Sequence, residues 1–142
     1  LMITQLIYTS TATQELSDDE LAAVLKSSSR HNTRNGVTGM LLYAKGSFMQ
    51  VLEGTDLSLD EAMSRIVLDV RHHSIYVISR ETASSREFAQ WSMGFRKLSD
   101  AEATTHPAYA PFFEWGFDPK RIGAEAGLGM QMLTTFSQAN RG

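Results

Sequence analysis

Apolar and polar positions along the chain change rhythm several times, and each change marks an element. "ITQLIYTS", Ile3 to Ser10, is a β-rich run closed by small hydroxyl residues, which predicts a first strand. "SDDE", Ser17 to Glu20, has the spacing of a capping box, a hydroxyl at the cap and a carboxylate three residues on. The helix it opens sets Leu21, Val24, Leu25 and Ser28 on one stripe, and the same spacing carries Asn32 to that side. "VTGMLLYAKGSFMQVLE" predicts two strands turning at "AKG". "TDLSLDEAMSRIVLDV" predicts a second helix, apolar at Leu59, Ala62, Met63, Ile66, Val67 and Val70. "IYVISRE" follows as a fourth strand and "QWSMGFRKL" as a fifth, with Trp91, Met93 and Phe95 alternating onto one face.

The order is βαββαβ plus one strand, an α+β chain of the ferredoxin-like kind, with a mixed sheet and two helices on one face. From Ser99 the texture changes to a Pro-punctuated, aromatic stretch holding Tyr109, Phe112, Phe113, Trp115 and Phe117. Asp118 and Pro119 then open a C-terminal helix, weakened by Gly123, Gly127 and Gly129. Residues 2–98 are thus expected to form the main domain. Residues 99–142 are expected to form a helical segment that caps the other face of the sheet and carries the output.

Composition narrows what such a domain does. The 142 residues are 42% hydrophobic and 20% charged, enough to bury a full core. A net charge of −3 with scattered basic residues argues against gripping a phosphate backbone. No apolar run approaches the roughly 18–20 residues of a membrane span, and no signal-peptide pattern is read, so a cytoplasmic protein is expected. With no cysteine there is no disulfide, no thiolate catalysis and no cysteine metal site. No metal is expected.

Several polar residues sit awkwardly in this plan. Gln50 alternates with Phe48 and Leu52 on one face of its strand, while Met49, Val51 and Glu53 take the other. A buried carboxamide left unpaired costs on the order of 1–3 kcal/mol, so a partner is required. Tyr8 stands on the first strand beside Leu6, and Asn32 ends an otherwise apolar stripe. Arg65 and Asp69 are spaced i, i+4 in the weaker order, cation first, with the anion near the helix end. Each has a structural reading: an edge glutamine, a core tyrosine, a helix-exit asparagine, a solvated surface pair. His72 and His73, read as neighbours on a helix, diverge by roughly 100° and do not act together.

Taken together, "LIYTS", "RHNTRNGVTGMLLYAKGSFMQVLEG", "RIVLDVRHHS" and "WSMGF" resemble the signature segments of the BLUF domain, a family of blue-light sensors that use flavin. The resemblance runs through the fifth strand. It implies a flavin held between the two helices, FAD first, with FMN or riboflavin as alternatives. It also implies that Gln50 bonds the reactive edge of the ring and the hydroxyl of Tyr8, and that Asn32 holds a carbonyl and the adjacent imide N–H. Arg65 would face the pyrimidine end with Asp69 holding it. Val24, Ser28 and Ile66 would line the walls, with Phe48 and His31 beside the ring. Light would draw an electron and a proton from Tyr8, rearrange Gln50, and be felt by Met93 and Trp91. The implied protein is a switch without catalysis of its own, signalling through a protein partner, with a homo-oligomer expected. Two rivals stay open: an acylphosphatase-type hydrolase, which needs an anion loop that "TSTATQEL" lacks, and an RNA-binding module, which needs exposed aromatics on a basic face.

Overall fold

Strand β1 (Ile3–Ala12) lies between two antiparallel neighbours, so its side chains are buried towards both faces. It runs beyond Ser10 because Thr11 and Ala12 still find ladder partners in His73 and His72. The structure is a computed structural model that describes residues 2–44, 46–89 and 93–97, residues 95 and 96 by their backbone alone.

Helix α1 (Asp18–Asn35) begins at the capping box: Glu20 N donates to Ser17 Oγ at 3.2 Å, and Ser17 N donates to Glu20 Oε1 at 3.0 Å. It ends at Gly36, whose φ of 69° is a left-handed cap that only glycine adopts without strain. Strands β2 (Thr38–Ala44) and β3 (Ser47–Gly54) form the expected hairpin. They lie so close that a Cβ on Gly39 would sit 2.0 Å from Val51 O. Helix α2 (Asp56–Ile66) starts at Thr55, whose hydroxyl accepts from Ser58 N at 3.1 Å. Strand β4 (His72–Ala83) and the short β5 (Gly94–Lys97) complete the order β4-β1-β3-β2-β5. The first four strands are antiparallel neighbours and β5 joins β2 in parallel, which is the ferredoxin-like sheet with its added strand.

Both helices sit on one face. Leu59 and Ala62 of α2 pack on Leu6, Tyr8 and Leu52, and Leu21 of α1 packs with Leu41, Tyr43 and Phe48. On the opposite face Ile7, Met40, Leu42, Met49, Val51 and Glu53 are buried as well. The expected cover for that face, the segment from Ser99 and the helix after Asp118, lies outside the described residues, as does Trp91.

Two boundaries depart from the sequence pattern. Helix α2 stops at Ile66, so Val67 and Val70 do not extend its apolar face and are 56% and 84% exposed. The reason is local competition. Leu68 N and Asp69 N bond back only three residues, and the Asp69 carboxylate takes Arg71 N at 3.0 Å, drawing the chain out of the helix. Thr13 then ties the exit to the end of β1, donating to Val70 O at 2.7 Å from its hydroxyl and to Arg71 O at 2.9 Å from its N–H. Strand β4 therefore starts at His72. The two histidines are strand neighbours rather than helix neighbours: His72 is half-buried and His73 is exposed.

Candidate functional site

Between α1 and α2, above β3, the fold leaves a cleft with two connected lobes. The smaller, about 60 Å³, has walls from Val24, Leu41, Phe48 and Ile66, with Tyr8 and His72 among its lining. The larger, about 390 Å³, is lined by His31, Asn32, Leu52, Ala62 and Arg65. Ser28, Gln50, Ile66, Asp69 and Arg71 belong to both. All ten cofactor-site residues expected from the sequence, Tyr8, Val24, Ser28, His31, Asn32, Phe48, Gln50, Arg65, Ile66 and Asp69, thus line one cleft. They are drawn from β1, both helices, β3 and the α2 exit.

The floor of the cleft gives Gln50 its partners. The register sets Tyr8 opposite Gln50 on the face that looks at the helices. The Tyr8 hydroxyl donates to Gln50 Oε1, and Gln50 Nε2 donates to Met93 Sδ at 3.3 Å. The carboxamide is only 4% exposed, and its oxygen is well served. Its NH₂ group is not, because it carries two donors and a thioether is a weak acceptor. A second acceptor in the cleft would complete it. Burial pushes the Tyr8 phenol above its ordinary range, and the negative charge of Asp69 pushes it further, so Tyr8 is a firmly protonated donor.

The expected ion pair is corrected. Asp69 does not hold Arg65. It holds Arg71, through Nε at 2.8 Å and Nη2 at 2.5 Å, while Arg65 pairs with Glu61 at 2.8 Å one turn back. Because α2 ends at Ile66, Asp69 no longer stacks one turn above Arg65, and the turn that follows it brings Arg71 round instead. The Arg71 hydrogen bonds hold the Asp69 carboxyl below the usual carboxylate range, and Asp69 in turn raises Arg71.

Arg71 and His72 are the residues that the sequence pattern misses. His72 Nε2 meets the carbonyl of Ile66 at 2.6 Å, and Nδ1 meets Ser10 Oγ at 2.8 Å. A carbonyl only accepts, so Nε2 donates to Ile66 O, and Nδ1 shares a hydrogen with the serine hydroxyl. The imidazole thereby caps the end of α2 and forms a wall beside Tyr8 and Phe48, with centroids 6.5 and 6.3 Å away. The signal in the sequence is Asp69 two residues before Arg71, a spacing that favours local capping over helix.

The lining fits a flavin ring. The smaller lobe sets Val24, Leu41, Phe48 and Ile66 beside its polar groups, a wall for a benzenoid end, and the larger offers Asn32, a side chain able to donate and accept at once, beside Arg65 and Arg71. Among the described residues no group of three His, Asp or Glu side chains could hold a metal, and no helix is long and apolar enough to cross a membrane.

Comparison with known proteins agrees with this geometry. The family model described as sensors of blue light using FAD matches residues 3–94. Photoactivated adenylate cyclase subunit beta of Euglena longa is 30% identical over 130 residues, which is 84% of this chain and 15% of that protein. The blue light- and temperature-regulated antirepressor BluF of Escherichia coli (strain K12) is 29% identical over 92 residues, 65% of this chain and 23% of that one. The chain therefore spans less than a quarter of either relative. Among solved structures, BlrB, a BLUF protein in its dark state, matches with a TM-score of 0.74 at 26% identity, over 94% of this chain and 96% of that one. The hydrolase and RNA-binding readings gain no support.

Proposed function

The chain belongs to the BLUF family, blue-light sensors that use a flavin, and from that premise we propose that Tyr8, Gln50 and Met93 form its light-operated switch. The observation that carries the reading is the buried relay at the floor of the cleft: phenol to carboxamide oxygen, carboxamide nitrogen to thioether. When bound and lit by blue light, the flavin supplies a strong one-electron oxidant. Tyr8 yields an electron, and its phenolic proton moves along the bond already made to Gln50 Oε1. Protonated on oxygen, the amide would pass an Nε2 proton to an acceptor held in the cleft, and as the electron returned to Tyr8 that proton would return to the Tyr8–Gln50 pair, restoring the phenol with no net gain or loss of protons. Gln50 is left as the imidic tautomer, or turned end for end, and its bond to Met93 changes in either case. A neutral amide suits this because it has a donor end and an acceptor end that can exchange.

Asn32 and Arg71 are the groups suited to the polar end of the ring, with Asp69 orienting Arg71; Arg65 is engaged with Glu61. FAD is the proposed native form. The chain acts as a sensor with no catalysis of its own, in the cytoplasm, passing its signal to a protein partner, with a second copy of itself as an assembly partner. The test is spectroscopic. The purified protein should be yellow, and blue light should shift its flavin band to the red with reversal in the dark. Tyr8→Phe should keep the flavin and lose the shift; a normal photocycle in that variant defeats the mechanism. The mass of the chromophore released by heat distinguishes FAD from FMN and riboflavin.

A further inference from the structure

The strand that carries Gln50 carries a second buried polar group on its other face. Glu53 is fully buried, and its carboxylate is spoken for by three N–H donors: Gln5 Nε2 at 2.9 Å, Glu87 N at 2.7 Å and Phe88 N at 2.7 Å. Two of the three are backbone groups of the loop that follows β4. A second grip holds the same loop. Arg86 donates to Glu53 O at 2.8 Å, to Thr38 Oγ1 at 2.9 Å and to Gly36 O at 2.7 Å. That last carbonyl lies at the C-terminus of α1, where a cation is favoured.

Gln5, Glu53 and Thr38 are cross-strand neighbours on β1, β3 and β2, so the loop is pinned across three strands. Met93 lies between two held points, the loop bonded to Glu53 at Glu87 and Phe88 and the start of β5 at Gly94, which pairs with Met40 on β2. We propose that Glu53 and Arg86 form a latch that positions Met93 against Gln50, coupling the two faces of the sheet through β3. They are positioning residues that touch neither the cleft nor its occupant. Backbone N–H groups aimed at a buried carboxylate have one arrangement available, which suits an anchor. The neutral amide of Gln50, three positions away, has more than one. The inference rests on the switch reading above for its functional weight.

Glu53→Gln tests it in the full-length, flavin-loaded protein. The substitution keeps the shape but turns an NH₂ group towards backbone N–H donors, so one loop bond is lost. Amide exchange at Glu87 or Phe88 should quicken roughly tenfold, the equivalent of one hydrogen bond. The labelled methyl resonance of Met93 should move, and dark recovery should change by at least about threefold, while the size of the red shift stays as in the parent. A Met93 signal that does not move overturns the latch, and so does a moved signal with unchanged recovery. Arg86→Ala releases the loop from its outer grip and gives the same readings should the buried variant fail to fold. Tyr8→Phe leaves the latch intact and separates the two ideas. If its red shift survives, the switch reading fails, and the Met93 signal alone then decides the latch.

Discussion

Gln50 and Glu53 lie three positions apart on one strand, both buried, one facing the helices and the other facing away. Their partners differ in kind. Glu53 is an acceptor held by three donors, two of them main-chain N–H groups that cannot accept. Gln50 has a donor end and an acceptor end, bonded to a phenol and a thioether. Burial alone therefore does not tell an anchor from a switch. What separates them is whether the side chain and its partners can exchange roles, and here the fixed pattern lies on one face of β3 and the reversible one on the other.

Making position 50 resemble position 53 should produce the largest effect. Gln50→Glu replaces a reversible amide with a group that, when ionised, only accepts. Flavin should still bind, since the walls of the cleft are untouched, but the reversible red shift should vanish from the light-minus-dark spectrum. A shift of parental size would mean that role reversal at this position is not the switch. The converse cut is Glu53→Ala, which orphans the Gln5 amide and two main-chain N–H groups. A cost on the order of 3 kcal/mol is expected in urea unfolding, more than Gln50→Leu should cost, since that variant orphans chiefly the Tyr8 hydroxyl.

A smaller effect separates the polar groups that line the cleft. Asn32→Ala should weaken flavin binding by on the order of 1–3 kcal/mol, measured by titrating flavin into stripped protein. Arg71→Ala should weaken it more than Arg65→Ala, because Arg71 lines both lobes under the hold of Asp69, whereas Arg65 is engaged by Glu61. The opposite ranking would return the pyrimidine end to Arg65.

Most of this arrangement is legible in the sequence, for identifiable reasons. The capping box at Ser17 and the glycine at position 36 bound α1 by backbone chemistry that tertiary packing does not override. The period of two along "FMQVLE" places Gln50 and Glu53 on opposite faces by spacing alone. The pattern fails at the exit of α2. Val67 and Val70 continue the apolar rhythm, so periodicity extends the helix through them and stacks Asp69 over Arg65. Periodicity counts apolar positions and does not weigh a carboxylate that prefers the main chain two residues ahead. Arg71 and His72 are hidden for the same reason, since their placement depends on where the helix stops. The Glu53 latch is not legible either: nothing in the spacing of Glu53 and Arg86 announces that a loop 33 residues along the chain returns to it.

The smallest effect tests the α2 exit. The Asp69 carboxyl is held low chiefly by the hydrogen bonds of Arg71, with help from the charges of Arg71 and His72 and against the opposing influence of burial. Its folded value lies below its unfolded one, near 3.9. The unfolded chain therefore binds more protons between the two values, and stability rises with pH across that window. The contribution is fully present above about pH 5 and is lost as pH falls through the folded value. The pair is 29% and 41% exposed, so solvent screens it and the contribution should be under about 1 kcal/mol. Glu20 and Asp56 are also held low and shape the same acid limb, so total stability against pH is not diagnostic. The difference between parent and Asp69→Asn is. It should be flat above about pH 5, shrink between about pH 4 and the lower folded value, and diminish in high salt. A difference that does not change with pH would mean that the ionised carboxylate does not anchor the α2 exit, because its bonds to the Arg71 guanidinium and to Arg71 N both favour the ionised form.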